Sequence, residues 1–341
     1  MLVSLILPCR NEERHIGACL DSLVATAYPH QHLELLVVDG ESDDATREIV
    51  ARYASAHPWI RVIDNPDRIV PAALNRGLRA ARGEVIVRVD AHALYPPEYI
   101  PRLVRALDDT GADNVGGRVI TLPADPSETA YAIAQALSHP FGVGNAYFRL
   151  AGDGPAAPRE VDTVPFGCWR RAVFDRIGTF DEELVRNQDD EFNYRLRRAG
   201  GRVVLVPDVV AYYYARASRR QLARMLYQYG YFKPLVARKV GAVVTVRQLV
   251  PPAFVAVLVS GAVLAPFWPP AAVAWAAALV GYAGATLACA AYTARGLRSM
   301  MALAATFPLL HVSYGYGFLR GLWHLATRRR LGKPSAIPLT R

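Results

Sequence analysis

The last acidic residue of the chain is Asp208, and the 133 residues that follow contain neither Asp nor Glu. Residues 1–208 carry 23 Lys and Arg against all 30 acids, whereas residues 209–341 carry 16 Lys and Arg unopposed, which leaves a net charge of +9. A mixed-charge first part can supply bases and metal-binding carboxylates. A basic, acid-free second part with long apolar stretches suits a phospholipid surface. The pattern predicts a catalytic domain tied to a membrane, and 341 residues suffice for one α/β domain with a full core plus a smaller appendage.

Between Arg247 and Arg295 there are 47 consecutive uncharged positions, enough for two spans of about 20 residues each. Pro266-Phe267-Trp268-Pro269-Pro270 supplies the break, which predicts a helical hairpin over 249–267 and 271–292. A third uncharged stretch, Ser299–Leu319, contains Pro308, His311 and two tyrosines among glycines, so it crosses, re-enters or lies in the interface. Lys233, Arg238, Lys239 and Arg247 before the hairpin and Arg295 and Arg298 after it predict cytoplasmic flanks. Arg328, Arg329, Arg330 and Lys333 conflict with a third crossing, which favours a non-crossing segment. The expected organisation is a catalytic domain over 1–232, a basic linker over 233–248, a membrane domain over 249–325 and a basic tail over 326–341. Met1 to Leu7 reads as a strand and not a signal peptide. Cys9, Cys19, Cys168 and Cys289 have neither metal-site nor disulfide spacing, as expected of a reduced, cytoplasmic face.

In the first part, short apolar runs alternate with amphipathic stretches. Residues 3–7, 35–38, 60–63 and 85–89 read as buried strands, and 16–24, 45–53, 71–81 and 97–107 as the helices between them. Such alternation gives a mainly parallel sheet covered on both faces, with ligands beyond the carboxyl ends of the strands. Pro8-Cys9-Arg10-Asn11-Glu12, Asp39-Gly40-Glu41-Ser42-Asp43-Asp44 and Asp90-Ala91-His92 follow the first, second and fourth strands. No Gly-rich dinucleotide fingerprint follows the first strand, which argues against a nicotinamide or flavin enzyme. The positive excess lies among apolar segments rather than on a solvated face, which argues against nucleic acid as a partner. Residues 123–127 read as a loop, and 152–158 as a Pro/Gly-rich flap.

These motifs, with Val37-Val38-Asp39-Gly40, Arg88-Val89-Asp90-Ala91-His92 and Asn187-Gln188-Asp189-Asp190-Glu191-Phe192, resemble the family 2 glycosyltransferases, and within them the membrane-bound succinoglycan and exopolysaccharide type. The resemblance implies an α/β GT-A fold followed by transmembrane helices, in an enzyme of the cytoplasmic membrane that inverts configuration as it moves a sugar from a nucleotide diphosphate. It implies donor contacts from Pro8, Arg10, Asn11, Glu12, Asp39, Asn75, Arg82 and Asp90, with Asp39 accepting from the base. Asp39 and Asp44 also suit the capping of the following turn and helix. A divalent metal, Mn²⁺ or Mg²⁺, would offset charge on the departing diphosphate. The family usually has Asp-x-Asp where this chain has Asp90-Ala91-His92, so the implied ligands are Asp90 and His92, with a hydrogen-bonded loop histidine as the plain alternative.

Direct displacement needs a base for the acceptor hydroxyl proton. The family's Glu-Asp pair corresponds to Gln188-Asp189, which gives that role to Asp189. Gly167, Trp169, Gln188 and Asp190 would lie on the acceptor side. Trp169 suits either a sugar face or the core, and Asp190 and Glu191 suit an acidic first helical turn. The expected partners are a UDP-sugar, a polyprenyl-linked glycan and membrane phospholipids. A polyprenyl-phosphate acceptor and a non-catalytic nucleotide-sugar-binding subunit are the competing readings. Gln221-Leu222-Ala223-Arg224-Met225 echoes a motif of processive synthases but has Met where Trp belongs. Tyr227, Tyr229, Tyr231 and Phe232 read as an interfacial belt or a helix face packed under the sheet.

Overall fold

A computed structural model describes residues 1–150, 157–242 and 245–327. Its strands are β1 (Val3–Cys9), β2 (Leu33–Asp39), β3 (Ile60–Asp64), β4 (Val85–Arg88), β5 (Ala93–Leu94), β6 (Asn114–Leu122), β7 (Arg159–Glu160), β8 (Cys168–Arg170) and β9 (Val203–Tyr214). Its helices are α1 (Ile16–Val24), α2 (Thr46–Ala56), α3 (Val70–Ala80), α4 (Tyr99–Thr110), α5 (Glu128–Ala136), α6 (Pro140–Val143), α7 (Ala172–Ile177), α8 (Gln188–Arg198), α9 (Arg219–Val240), α10 (Val250–Leu264), α11 (Pro269–Thr293) and α12 (Leu297–Thr327). The described chain forms two compact units, one of residues 1–120 and 157–214, the other of 121–150 and 215–327.

The first unit holds the sheet, in the order β3-β2-β1-β4-β8-β6-β9-β5 with β7 beside β9. β3, β2, β1 and β4 run parallel, and β8 joins β4 antiparallel. Buried on both faces, β1 and β2 read as near-continuous apolar runs, as parallel strands between helices must. Cys9, Asp39 and Asp64 fall in register at one edge, because β1 pairs Cys9 with Asp39 and β2 pairs Asp39 with Asp64. The polar segments 10–12, 40–44 and 90–92 follow β1, β2 and β4 at this carboxyl edge.

The second unit is helical. α9 and α12 lie close enough that a Cβ at Gly317 would collide with the Tyr227 carbonyl, so glycine is what lets the two backbones meet. Tyr231 donates to or accepts from His324 Nδ1 at 2.6 Å across the same contact, and Tyr231 and Phe232 are buried. The tyrosine row therefore packs against α12, not in a belt. α9 runs unbroken through residue 232, so the boundary expected there falls inside a helix, and residues 121–150 and 215–232 belong with the C-terminal helices. Pro308 does not interrupt α12, which is continuous over 31 residues. Two helical stretches, Val246–Leu264 and Pro269–Thr293, are long and apolar enough to cross a membrane. Their apolar side chains point outward, with Val259 60% and Val280 73% exposed, as a lipid-facing surface requires. The basic tail, and 152–156 of the expected flap, lie outside the described residues.

Candidate active site

The turn after β2 is closed by its own side chains. Asp39, 2% exposed, accepts from the Ser42 amide at 3.1 Å, the Ser42 hydroxyl at 2.5 Å and Arg47 Nη1 at 2.8 Å. Arg47 also reaches Asp64 at 2.8 Å and so ties the ends of β2 and β3 together. Asp44 caps α2 by accepting from the Thr46 amide at 2.9 Å. Asn11 exchanges side-chain bonds with Asp43, through Nδ2 to Asp43 Oδ1 at 2.7 Å and from the Asp43 amide at 3.1 Å. These bonds lock the loops after β1 and β2 to one another. Pro8 sits opposite Val38 in the same register. Next to it, Arg10 packs against Gly40, and its Nε is buried without a hydrogen-bond partner among the described residues. A buried guanidinium nitrogen left unmatched is costly unless an anion meets it.

Beyond β4, Asp90 receives Arg88 Nε at 3.1 Å and Nη2 at 3.3 Å. Burial works to raise the Asp90 pKa, but the charges of Arg88, His92 and Arg186 outweigh it and hold the carboxyl below the usual carboxylate range. His92 packs edge-on to Tyr213, with ring centroids 4.8 Å apart. Its Nδ1 lies 3.3 Å from Glu12 Oε1 but is not aligned for a hydrogen bond. Among the described residues no three His, Cys, Asp or Glu side chains cluster to hold a metal unaided. Asp90 and His92 fit a lesser share. Mg²⁺ and similar ions at phosphate-binding sites take one or two protein ligands and complete their shell from phosphates and water.

Three sequence expectations need correction. Arg82 lies at the opposite end of the sheet: its amide and Nε hold Glu34 at 2.6 and 3.1 Å, and Glu34 also accepts from Ser4 at 2.5 Å, all at the amino ends of β1, β2 and β4. A strand length, roughly 17–20 Å, separates it from the carboxyl edge, so it does not serve a ligand there. Asn75 is buried and spends its amide on the Phe180 backbone in both directions, at 2.9 and 3.0 Å, and on Glu182 at 2.8 Å. It fastens α3 to the segment before α8. Trp169 is 4% exposed and meets Phe174, Phe180 and Phe192 edge-on, which places it in the core and not against a sugar. Gly167, at φ +76°, is the residue that lets this ring pass, since a Cβ there would enter the indole.

α8 begins after Asn187, which adopts the left-handed region at φ 64°. Gln188 is buried, Asp189 and Asp190 are half-buried, and Glu191 is held by Arg195 at 2.6 and 2.9 Å. Asp189 Oδ1 accepts from the Asp190 amide at 3.0 Å, which fixes one oxygen at the helix start. Arg88 and Arg186 were missed in the sequence. Arg88 could have been found there, since a cation closing the apolar run Val85-Ile86-Val87 must meet an anion.

A sheet edge of this kind, with converging loops and a carboxylate-led helix beside it, defines the GT-A class of nucleotide-sugar-binding folds. The profile described as Glycosyl transferase family 2 matches residues 4–178, and the chain belongs to that family. It is 33% identical over 336 residues to the succinoglycan biosynthesis protein ExoA of Rhizobium meliloti (strain 1021), covering 96% of each chain. It is 26% identical over 246 residues to a dolichyl N-acetyl-alpha-D-glucosaminyl phosphate 3-beta-D-2,3-diacetamido-2,3-dideoxy-beta-D-glucuronosyltransferase of Methanococcus voltae, covering 70% of this chain and 74% of that one. Among solved structures, the mannosyltransferase PcManGT from Pyrobaculum calidifontis, crystallised with GDP-Man and Mn²⁺, shares the fold at a TM-score of 0.58 and 23% identity, over 94% of this chain and 87% of its own.

Proposed function

We propose that this glycosyltransferase inverts configuration as it moves a sugar from a nucleoside diphosphate to a hydroxyl of a polyprenyl-linked glycan in cell-surface polysaccharide synthesis. The observation that carries the reading is the pairing of two features beyond the carboxyl ends of the neighbouring parallel strands β1 and β4: the unmatched Arg10 Nε, suited to a diphosphate oxygen, and the Asp90 carboxylate, suited to a cation. Arg10 binds the diphosphate, and the loops locked by Asn11 and Asp43 keep it placed. The Asp189 oxygen not held by the helix amide takes the acceptor hydroxyl proton as the sugar carbon is attacked from the face opposite the diphosphate. A divalent cation, held by Asp90 and His92, would stabilise the negative charge of the departing diphosphate as a Lewis acid.

The Mn²⁺ in the PcManGT structure and the UDP-GlcNAc in a Staphylococcus aureus TarS structure, which shares the fold at a TM-score of 0.53 and 17% identity, favour a metal and a uridine or guanosine donor. The ExoA relationship favours an exopolysaccharide pathway. Lipid-linked acceptors accord with the two helices long and apolar enough to cross a membrane, and the basic flanks at Lys233, Arg238, Lys239, Arg295 and Arg298 favour a cytoplasmic sheet unit. Native membranes incubated with a panel of nucleotide sugars and Mn²⁺, followed by mass analysis of the lipid fraction, test the reading. One donor should add a single hexose-sized increment to a diphosphate-linked lipid. Product found only as a sugar on bare polyprenyl phosphate, or only as free sugar, would overturn it.

A further inference from the structure

β4 ends at Arg88, so residues 89–92 leave the ladder and need other partners for their backbone groups. The Val89 amide finds one in the Ile6 carbonyl at 2.9 Å, and the His92 carbonyl accepts from the Tyr214 amide at 3.0 Å, which ties the far end of the turn to β9. Between these two anchors Asp90 is held by one side chain. The Tyr95 hydroxyl accepts from the Asp90 amide at 2.7 Å and donates to the Asp90 carbonyl at 3.3 Å. A hydroxyl has one proton to give and lone pairs to receive with, so a single group serves the two peptide units that flank one Cα. The same carbonyl accepts from the Ala93 amide at 3.2 Å and from Cys19 Sγ at 3.5 Å.

Tyr95 is itself fixed. It is 2% exposed, and its ring meets Tyr99 and Phe166 with centroids 4.9 and 6.0 Å away. Its amide donates to the Ser22 hydroxyl at 3.2 Å, and that hydroxyl donates to the Cys19 carbonyl at 2.7 Å, so α1 braces the residue from behind. Holding both peptide units of Asp90 sets the direction of its Cα–Cβ bond, and Arg88 then grips the carboxylate through Nε and Nη2. The turn offers one carboxylate and one imidazole, so a cation held there depends on the aim of that single carboxylate, which outer groups must set. We propose that Tyr95 is a positioning residue for the Asp90-Ala91-His92 turn, its hydroxyl setting the direction in which the Asp90 carboxylate is presented to a divalent cation on the donor diphosphate. The inference rests on the proposed function for the cation, and it adds a residue that touches neither donor nor metal.

The concentration of Mn²⁺ that half-saturates its enhancement of UDP or GDP binding to the full chain in neutral detergent tests it, with nucleotide affinity in EDTA measured on the same samples. Tyr95→Phe keeps the ring and removes the hydroxyl. It should raise the half-saturating Mn²⁺ concentration about tenfold or more, as loss of a group that orients a metal ligand does, and leave the affinity in EDTA unchanged. Tyr99→Phe removes the neighbouring buried hydroxyl and should keep the wild-type Mn²⁺ dependence, which separates aim from a general loosening of the core. Ser22→Ala takes the brace from the Tyr95 amide and should shift the Mn²⁺ dependence in the same direction by less, and it carries the test if Tyr95→Phe does not fold. Wild-type Mn²⁺ dependence in Tyr95→Phe, or in Ser22→Ala where that variant stands in, would overturn the inference, as would an equal shift in Tyr99→Phe. If Mn²⁺ strengthens neither UDP nor GDP binding by the wild type, the inference falls together with the metal's part in the proposed function. If the variants behave as expected yet the wild type transfers no sugar to any lipid, the positioning role stands and the proposed function falls.

Discussion

The two units of this protein satisfy their cations by opposite means. In the sheet unit, arginines meet carboxylates: Arg47 spans Asp39 and Asp64, Arg88 closes on Asp90, Arg61 and Arg82 share the buried Glu34, and Arg195 holds Glu191. In the helical unit, whose residues after 208 include no acid, Arg247 meets Asn145 and Arg320 lies 5.8 Å over the Tyr227 ring. A unit that neutralises its charges internally holds a rigid scaffold for chemistry at its edge. The cations of the helical unit are seated instead on a neutral amide and an aromatic face.

The packing differs in the same sense, and substitution separates the two. Trp169→Ala empties the centre of the Phe174, Phe180 and Phe192 cluster and should cost about 3–5 kcal/mol, seen as a large fall in the denaturation midpoint of the solubilised chain. A midpoint unchanged by this variant would break the claim that the ring is core. Gly317→Leu forces α9 and α12 apart and should cost about 1–3 kcal/mol through overpacking, with donor affinity preserved because the sheet unit is untouched. Loss of donor affinity in this variant would show that the units are not independent.

Glu34 sharpens the comparison through pH. Burial raises its pKa, but the bonds from Ser4 and Arg82 outweigh this and leave it lowered. A carboxyl whose folded value is depressed contributes stability above its unfolded value, near 4.3, and loses it as pH falls through the folded value. Acid unfolding of the wild type should therefore steepen in that window. Glu34→Gln should flatten it and cost about 1–3 kcal/mol at neutral pH, measured as midpoint against pH. Smallest of all, Val280→Ser on the outward face of α11 should shift the midpoint in detergent by less than about 0.5 kcal/mol. A larger shift would mean that this face packs against protein.

The parallel half of the sheet was legible because each of β1 to β4 is a short apolar run ended by a polar motif, and the helical hairpin because 47 uncharged positions admit little else. The antiparallel half was not. β5 and β8 are two and three residues long, too short for any period to show, and their pairing with β9 and β4 depends on contacts distant in sequence. Motif position put Asp39 and Asp90 at the carboxyl edge, where the structure has them, but misjudged Arg82, because a resemblance does not say at which end of a strand a side chain finds its partner. Asn75 and Trp169 were misjudged for a related reason: a buried amide or ring is claimed by whichever segment packs over it, here residues 174–192. The pairing of α9 with α12 had a signal in Gly317 and Gly321, small residues that invite close helix contact.

The central claim is that the Asp90 edge and Asp189 serve one reaction. Turnover of Asp189→Asn in membranes, with donor affinity measured alongside, tests it most directly. The account predicts a loss of transfer on the order of 10² or more at unchanged donor affinity. Transfer at the wild-type rate by this variant would contradict it.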